Sequence, residues 1–198
     1  MTGPAPGDIE RAAEAALRGE LVVLPTDTIY GIGTRPDDPA ATARLFEAKR
    51  RPRDLELPVL VPTVGSAERL GRFGAQARRL AEGYWPGPLT IVVPRSEASA
   101  GWDLGGDPDT VGLRIPGHPV ALAVLERTGP LAVTSANLSG RPTPATCRDV
   151  AALFGPLVSV ALDAGEPLAS PPSTVVAVVD GEFRVLRRGA VTPMLDSR

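Results

Sequence analysis

The sequence predicts an α/β fold: a single-domain, open, twisted, mixed sheet flanked by helices. Three observations predict it. Short apolar runs of strand length alternate with segments at helical spacing. No Pro/Ser-rich linker divides them, and there is no internal repeat. An Asp180-Gly181 pair between two apolar runs marks a hairpin, which argues against an all-parallel sheet. With 198 residues, 43% of them hydrophobic, the chain suffices for one unstapled core. The domain is expected to span residues 1–198, with its core over about residues 8–190 and short loose termini.

Taken in order, Ile9, Ala12, Ala13, Ala16 and Leu17 fall at helical spacing between a capping Asp8 and the stop at Gly19. Leu21–Leu24 is apolar throughout, as in a buried strand, and leads into a Thr/Gly-rich loop over residues 26–34. Asp38-Pro39 has the chemistry of a helix start, and that helix runs to Lys49 before Pro52 closes it. Strands are expected over residues 57–61, 89–94, 110–115, 131–134, 158–162, 174–179 and 183–186. Helices are expected over 66–72, 75–83, 119–127 and 148–154. A Gly/Asp-rich turn covers 97–109, and a polar loop covers 135–144.

Composition narrows the function. A net charge of −2 gives no global pull toward nucleic acid or an anionic membrane. One cysteine, Cys147, excludes an intramolecular disulfide and a Cys-rich zinc site, and fits a reducing compartment. No apolar run approaches the roughly 20 residues of a membrane span, and residues 1–7 show no signal segment. A soluble, cytoplasmic protein is expected. His118 lacks a triad-like setting and reads as structural. Cys147 heads a helix, where a thiol pKa can fall, but with no base evident nearby it is not assigned a catalytic role.

In open α/β sheets, ligands bind beyond strand ends where polar loops converge. Five segments qualify. In Leu24–Gly33, the hydroxyls of Thr26 and Thr28 point the same way if the backbone stays extended; the alternative is an ordinary turn. Lys49, Arg50, Arg51 and Arg53 cluster at a helix end, where they suit phosphate or carboxylate, or simply the helix dipole. Arg114 lies between Leu113 and Ile115 and shares a face with Thr110. A buried Arg needs an anionic partner: Asp27, Asp163 or a ligand carboxylate. Ser135 and Asn137 alternate to one side, suiting nucleobase or phosphate, or a capped turn. A hairpin would bring Ser173-Thr174 and Arg187-Arg188 side by side at one end; the alternative is surface polar decoration. The Trp85–Thr90 stretch fixes the start of its strand, or its aromatic lines a pocket.

Together these segments resemble the YrdC family, the threonylcarbamoyl-AMP synthases. The matching stretches are LPTDTIYGIG, the K-x-R-P of Lys49, Arg51 and Pro52, WPGPLT, TVGLRIPGHP, TSANLSG, STVV and VLRRGA, in family order over residues 8–190. The resemblance implies a YrdC-like fold and an enzyme that joins L-threonine, bicarbonate and ATP into threonylcarbamoyl-AMP and pyrophosphate. It places Lys49, Arg51, Ser135 and Asn137 in the catalytic set. It assigns threonine to Thr28, Arg114, Ser135 and Ser173, and ATP to Lys49, Arg51, Thr110, Asn137 and Arg187. Mg2+ is expected on the triphosphate, with no protein metal ligand. A transferase complex acting on tRNA would take the product, and weak tRNA or double-stranded RNA binding is an accompanying expectation. The chain resembles the short, single-domain type. It departs from the pattern at Arg50, Leu55, Glu56, Leu60 and Arg188. The rival readings are an RNA-binding module and a carbamoyltransferase that uses carbamoyl phosphate.

Overall fold

The computed structural model describes residues 4–194. Among them nine strands form one mixed sheet: β1 (Leu21–Leu24), β2 (Gly31–Thr34), β3 (Val59–Leu60), β4 (Leu89–Pro94), β5 (Thr110–Arg114), β6 (Leu131–Ser135), β7 (Val158–Ala161), β8 (Thr174–Val179) and β9 (Glu182–Arg187). Their spatial order is β7-β1-β2-β6-β3-β5-β4-β8-β9. Parallel pairs β1/β7, β3/β5 and β4/β8 are interleaved with antiparallel ones. The hairpin β8–β9 turns at Asp180 and Gly181, both at positive φ. The expected mixed, open sheet is therefore present.

Six helices flank it: α1 (Pro6–Leu17), α2 (Pro39–Lys49), α3 (Val64–Leu70), α4 (Ala75–Tyr84), α5 (Pro119–Thr128) and α6 (Cys147–Phe154). Their starts follow capping chemistry. Asp38, Thr63, His118 and Thr146 each accept a first-turn amide. Asp8 sits inside α1 and accepts the Ala5 amide at 3.0 Å, so that helix starts earlier than its expected cap.

Two helix layers produce two apolar clusters. On one face, Val23, Ile32, Val59, Ile91, Val93 and Leu113 pack with side chains from α2, α3, α4 and α6. On the other, Val22, Leu24, Leu60 and Val133 pack with Ala12, Ala16, Val124 and Leu125 of α1 and α5. Each fully buried Val, Leu or Ile contributes roughly 1.5–3 kcal/mol. On the second face α1 and α5 cover only part of the sheet. Thr90, Val92, Gly112, Arg114 and Val175 lie beyond them and form the floor of a cavity.

Two expectations fail here. Residues 31–34 are a strand, although their glycines read as loop. The glycines are needed for close packing: a Cβ on Gly31 would lie 2.6 Å from Val133 Cγ1, and one on Gly33 2.5 Å from the Ala132 carbonyl oxygen. The stretch after Gly189 is tied down as far as Met194. Ala190 donates to the Pro172 carbonyl at 2.9 Å, Val191 to Thr174 Oγ1 at 3.2 Å, and Met194 to the Tyr84 hydroxyl at 3.2 Å. Residues 1–3 and 195–198, also expected to be loose, lie outside the described residues.

Candidate active site

The cavity, of about 290 Å3, collects residues from β2, β3, β4, β5, β6, β8 and β9 and from the loops after β1 and α2. Thr28, Arg51, Arg114, Ser135, Ser173 and Arg187 all line it. A second compartment, lined by Asn137, Arg141, Thr143 and Ser170, shares Ile29, Ser135, Pro172 and Arg187 with the first, so the two adjoin.

Arg114 is the most buried of the three arginines that line the cavity. As alternation along β5 requires, it points to the same face as Gly112, and its side chain is only 7% exposed. Nη2 donates to Asp27 Oδ1 at 2.6 Å, and Nε donates to the Gly87 carbonyl at 2.9 Å. Asp27 is thus the protein carboxylate that the buried Arg requires, while Asp163 accepts from the Tyr30 hydroxyl instead. The Gly117 amide also donates to Asp27 Oδ1 at 2.8 Å, and Asp27 Oδ2 has no partner. Thr28 Oγ1 lies 3.4 Å from both terminal nitrogens of Arg114 and 3.0 Å from Thr26 Oγ1. Thr26 in turn donates to the Ile29 carbonyl, which fixes the loop.

Arg187 closes β9 and reaches back to β8: Nη2 donates to the Ser173 carbonyl at 2.8 Å and to Ser173 Oγ at 3.1 Å. Ser173 Oγ lies 3.1 Å from Thr90 Oγ1. Arg51 follows the end of α2 and is held by the Leu55 and Glu56 carbonyls. The reversal before it occurs at Arg50, in the left-handed region at φ 50°, where glycine would be unstrained. Burial lowers the pKa of Arg51, Arg114 and Arg187. Arg187 further lowers that of Arg51, and Arg114 lowers that of Arg187. Three guanidinium groups therefore line one cavity, with Arg114 buried, Arg51 half-buried and Arg187 at the exposed rim, where it is repelled by the other two.

Lys49 and Thr110 do not line the cavity. Lys49 is 1% exposed and lies behind the wall. Its Nζ donates to the carbonyls of Ser135 and Asn137, the latter at 2.6 Å, and to Asn137 Oδ1 at 3.2 Å. Burial and Arg51 push its pKa down to about 7. Ser135 Oγ donates to Asn137 Oδ1 at 2.6 Å, so Lys49, Ser135 and Asn137 form one unit. Thr110 opens β5 on the face of Arg114, and its carbonyl accepts from Arg95 Nε at 2.6 Å.

The remaining cations of the cluster are dispersed. Arg53 pairs with Asp103 at 2.8 Å and lies over the Phe46 ring, and Arg35, outside that run, pairs with Asp37 at 2.8 Å. They do not combine with Lys49 into one basic patch. Trp85 belongs to the core, edge-on to Phe73, and its indole N–H donates to the Leu89 carbonyl. His118 Nδ1 caps α5, and burial pushes the Cys147 thiol up to about 11. Among the described residues no three His, Cys, Asp or Glu side chains cluster as a metal site, and no helix is long and apolar enough to cross a membrane.

The sequence reading missed Thr90 and Glu56 as cavity residues. Thr90 had a signal: it is the polar member of an otherwise apolar strand, on the face opposite Leu89 and Ile91. Glu56 had only its departure from the family pattern. Its carboxyl is pushed up to about 7, first by burial and further by Asp107, against Arg95, the Gly112 amide and Arg51. Because the folded-state value lies above the unfolded one, the native state holds this proton more tightly. The resulting penalty grows as pH rises from about 4.5 and is complete above about 7. Glu56→Gln should therefore melt above the wild type at pH 8, and the gap should close near pH 4.5. Equal melting temperatures at pH 8 would contradict this environment.

Comparisons with known proteins agree with this fold. The Sua5/YciO/YrdC family model, described as "Telomere recombination", matches residues 14–189. A protein of Mycobacterium tuberculosis is 43% identical over 93% of this chain and 85% of its own length. The threonylcarbamoyl-AMP synthase of Pyrococcus abyssi is 38% identical over 92% of this chain, which spans 54% of that protein. The crystal structure of P. abyssi Sua5 complexed with L-threonine superposes with a TM-score of 0.82 at 36% identity, over 91% of this chain and 54% of that one. The chain belongs to the Sua5/YciO/YrdC family.

Proposed function

We propose that this chain joins L-threonine, bicarbonate and ATP into threonylcarbamoyl-AMP and pyrophosphate, as the nucleotidyltransferase that supplies a transferase complex modifying tRNA. The single observation that carries the reading is the convergence of Arg51, Arg114 and Arg187, brought from three separate segments, on one cavity. Such an arrangement costs stability unless anions fill it, and the proposed reactants are a carboxylate, a bicarbonate and a triphosphate.

In this reading Arg114 takes the threonine carboxylate, with Thr28, Ser173 and Ser135 orienting the amino acid. Arg51 and Arg187 take phosphate charge. Asn137 lines the compartment that adjoins the main cavity, whereas Thr110 lines neither compartment and takes no direct part in this reading. Lys49 contributes through the Ser135–Asn137 unit that it holds. The threonine amine takes up bicarbonate-derived CO2 as a carbamate, whose oxygen attacks the α-phosphate and displaces pyrophosphate. No protein nucleophile is required. The protein's part is to align reactants and stabilise charge. Mg2+ would arrive on the triphosphate, with phosphate oxygens and water as its ligands, since Glu56 is the one carboxylate residue among those lining the main cavity. The domain reading extends this catalytic assignment to residues 1–198.

Mass spectrometry of the product tests the proposal. With all three substrates, a threonylcarbamoyl-adenylate mass and stoichiometric pyrophosphate are expected. Omitting threonine or bicarbonate should abolish both. Turnover with carbamoyl phosphate in place of threonine and bicarbonate would overturn the assignment.

A further inference from the structure

Glu56 has no role in the mechanism above, yet it occupies the same enclosure. It lines the cavity with Arg51, Arg114 and Arg187, and its Oε1 is buried without a hydrogen-bond partner. The neighbourhood is tight. Gly106, at φ 62°, packs on the Glu56 backbone, and a Cβ there would lie 2.7 Å from Glu56 Cβ. The titratable and charged groups facing it are Arg51 from the segment after α2, Arg95 from the end of β4, and Asp107 from the turn before β5. None of them donates to Oε1. An ionised Glu56 would oppose the negative charge that the three arginines attract, since like charges in a poorly screened enclosure repel strongly.

We propose that Glu56 is a nucleotide-contacting residue that acts as the neutral carboxylic acid, so that ATP binding draws one proton from solvent onto its carboxyl group. The inference rests on the reading of this cavity as an ATP site. Protonation removes the repulsive charge and gives the carboxyl an O–H donor, which an acceptor oxygen of the nucleotide can use at Oε2, since Oε1 is closed off from the cavity. The proton ends on Glu56 and no covalent bond changes. In the free protein burial pushes the carboxyl up to about 7, against the pull of Arg95 and Arg51. Around neutral pH, therefore, a substantial fraction of molecules must take up the proton before or as the polyanion binds.

Calorimetric titration with MgATP at pH 6, 7 and 8, in two buffers of different ionisation enthalpy, counts that proton. Wild type should show uptake rising toward one proton per ATP between pH 7 and 8. Its affinity should be about tenfold weaker at pH 8 than at pH 6. Glu56→Gln, a neutral donor at every pH, should lack this uptake, vary less than about twofold, and bind more tightly than wild type at pH 8. The wild-type count stands alone: no uptake at pH 7–8 overturns the proposal whatever the variant does. Equal pH slopes in both proteins, or weaker binding by folded Glu56→Gln at pH 8, also overturn it while leaving the ATP site intact. Failure of both proteins to bind ATP at any of these pH values overturns the reading of the cavity and this inference together.

Discussion

Arg114→Ala is expected to lower kcat/KM for threonine by at least about a hundredfold, the scale of a lost buried charge-assisted contact of roughly 3 kcal/mol. Arg114 is fixed before substrate arrives. Nε is anchored on the Gly87 carbonyl, Nη2 on Asp27, and the Thr28 hydroxyl sits beside both terminal nitrogens. An ordered guanidinium loses little side-chain freedom on taking a carboxylate, and the planar fork presents paired donors. The cost to the fold has to be separated from the cost to function. Removing Arg114 leaves the Asp27 carboxylate, 17% exposed, without its counter-charge, a loss that reaches about 3–5 kcal/mol for buried pairs. The double variant Arg114→Ala/Asp27→Ala deletes both charges and should recover much of that stability. It should not recover threonine-dependent pyrophosphate release. Thermal melts and steady-state assays of both variants decide the point. Activity returning with stability would show that Arg114 only balances Asp27.

Much of this cavity was legible in the sequence, and the reasons are local. Alternation along residues 110–115 put Arg114 on one face, and an apolar setting demanded an anionic partner. Asp27 was one of the two protein carboxylates named beside a ligand carboxylate. The hairpin at Asp180-Gly181 brought Arg187 beside Ser173, as strand pairing dictates. Other features depended on packing that no local pattern records. Gly31 and Gly33 read as loop because their value lies in the approach of Val133 and Ala132 from β6. The chain beyond Gly189 looked loose because its anchors, Thr174 and Tyr84, are distant in sequence. The basic run at residues 49–53 looked like one charged surface. The left-handed turn at Arg50 splits it, sending Lys49 inward, Arg51 to the cavity and Arg53 to Asp103. Glu56 carried no periodic signal at all; its significance comes from Arg51, Arg95 and Asp107, which the fold gathers from three separate segments.

Lys49 provides the second large expected effect, and its mechanism is indirect. The ammonium is enclosed, and three oxygens of Ser135 and Asn137 accept from it. The Ser139 amide donates to the Lys49 carbonyl at 3.0 Å, so the end of α2 and the 135–139 loop are joined at both main chain and side chain. Lys49→Ala strands those acceptors and opens a void, which should cost about 2–4 kcal/mol of stability. Lys49→Met fills most of the void without restoring a donor. If Lys49 acts by positioning, both variants should lose at least about a hundredfold in kcat, because Ser135 and Asn137 no longer hold their geometry. Lys49→Met should be the more stable of the two. Two readouts separate this from direct phosphate binding. ATP affinity, measured without threonine, should fall far less than kcat, since Arg51 and Arg187 line the cavity and Lys49 does not. Ser135→Ala and Lys49→Met should also be strongly non-additive, as members of one hydrogen-bonded unit are. Additive losses, or a fall in ATP affinity matching that in kcat, would place the Lys49 charge on the nucleotide itself.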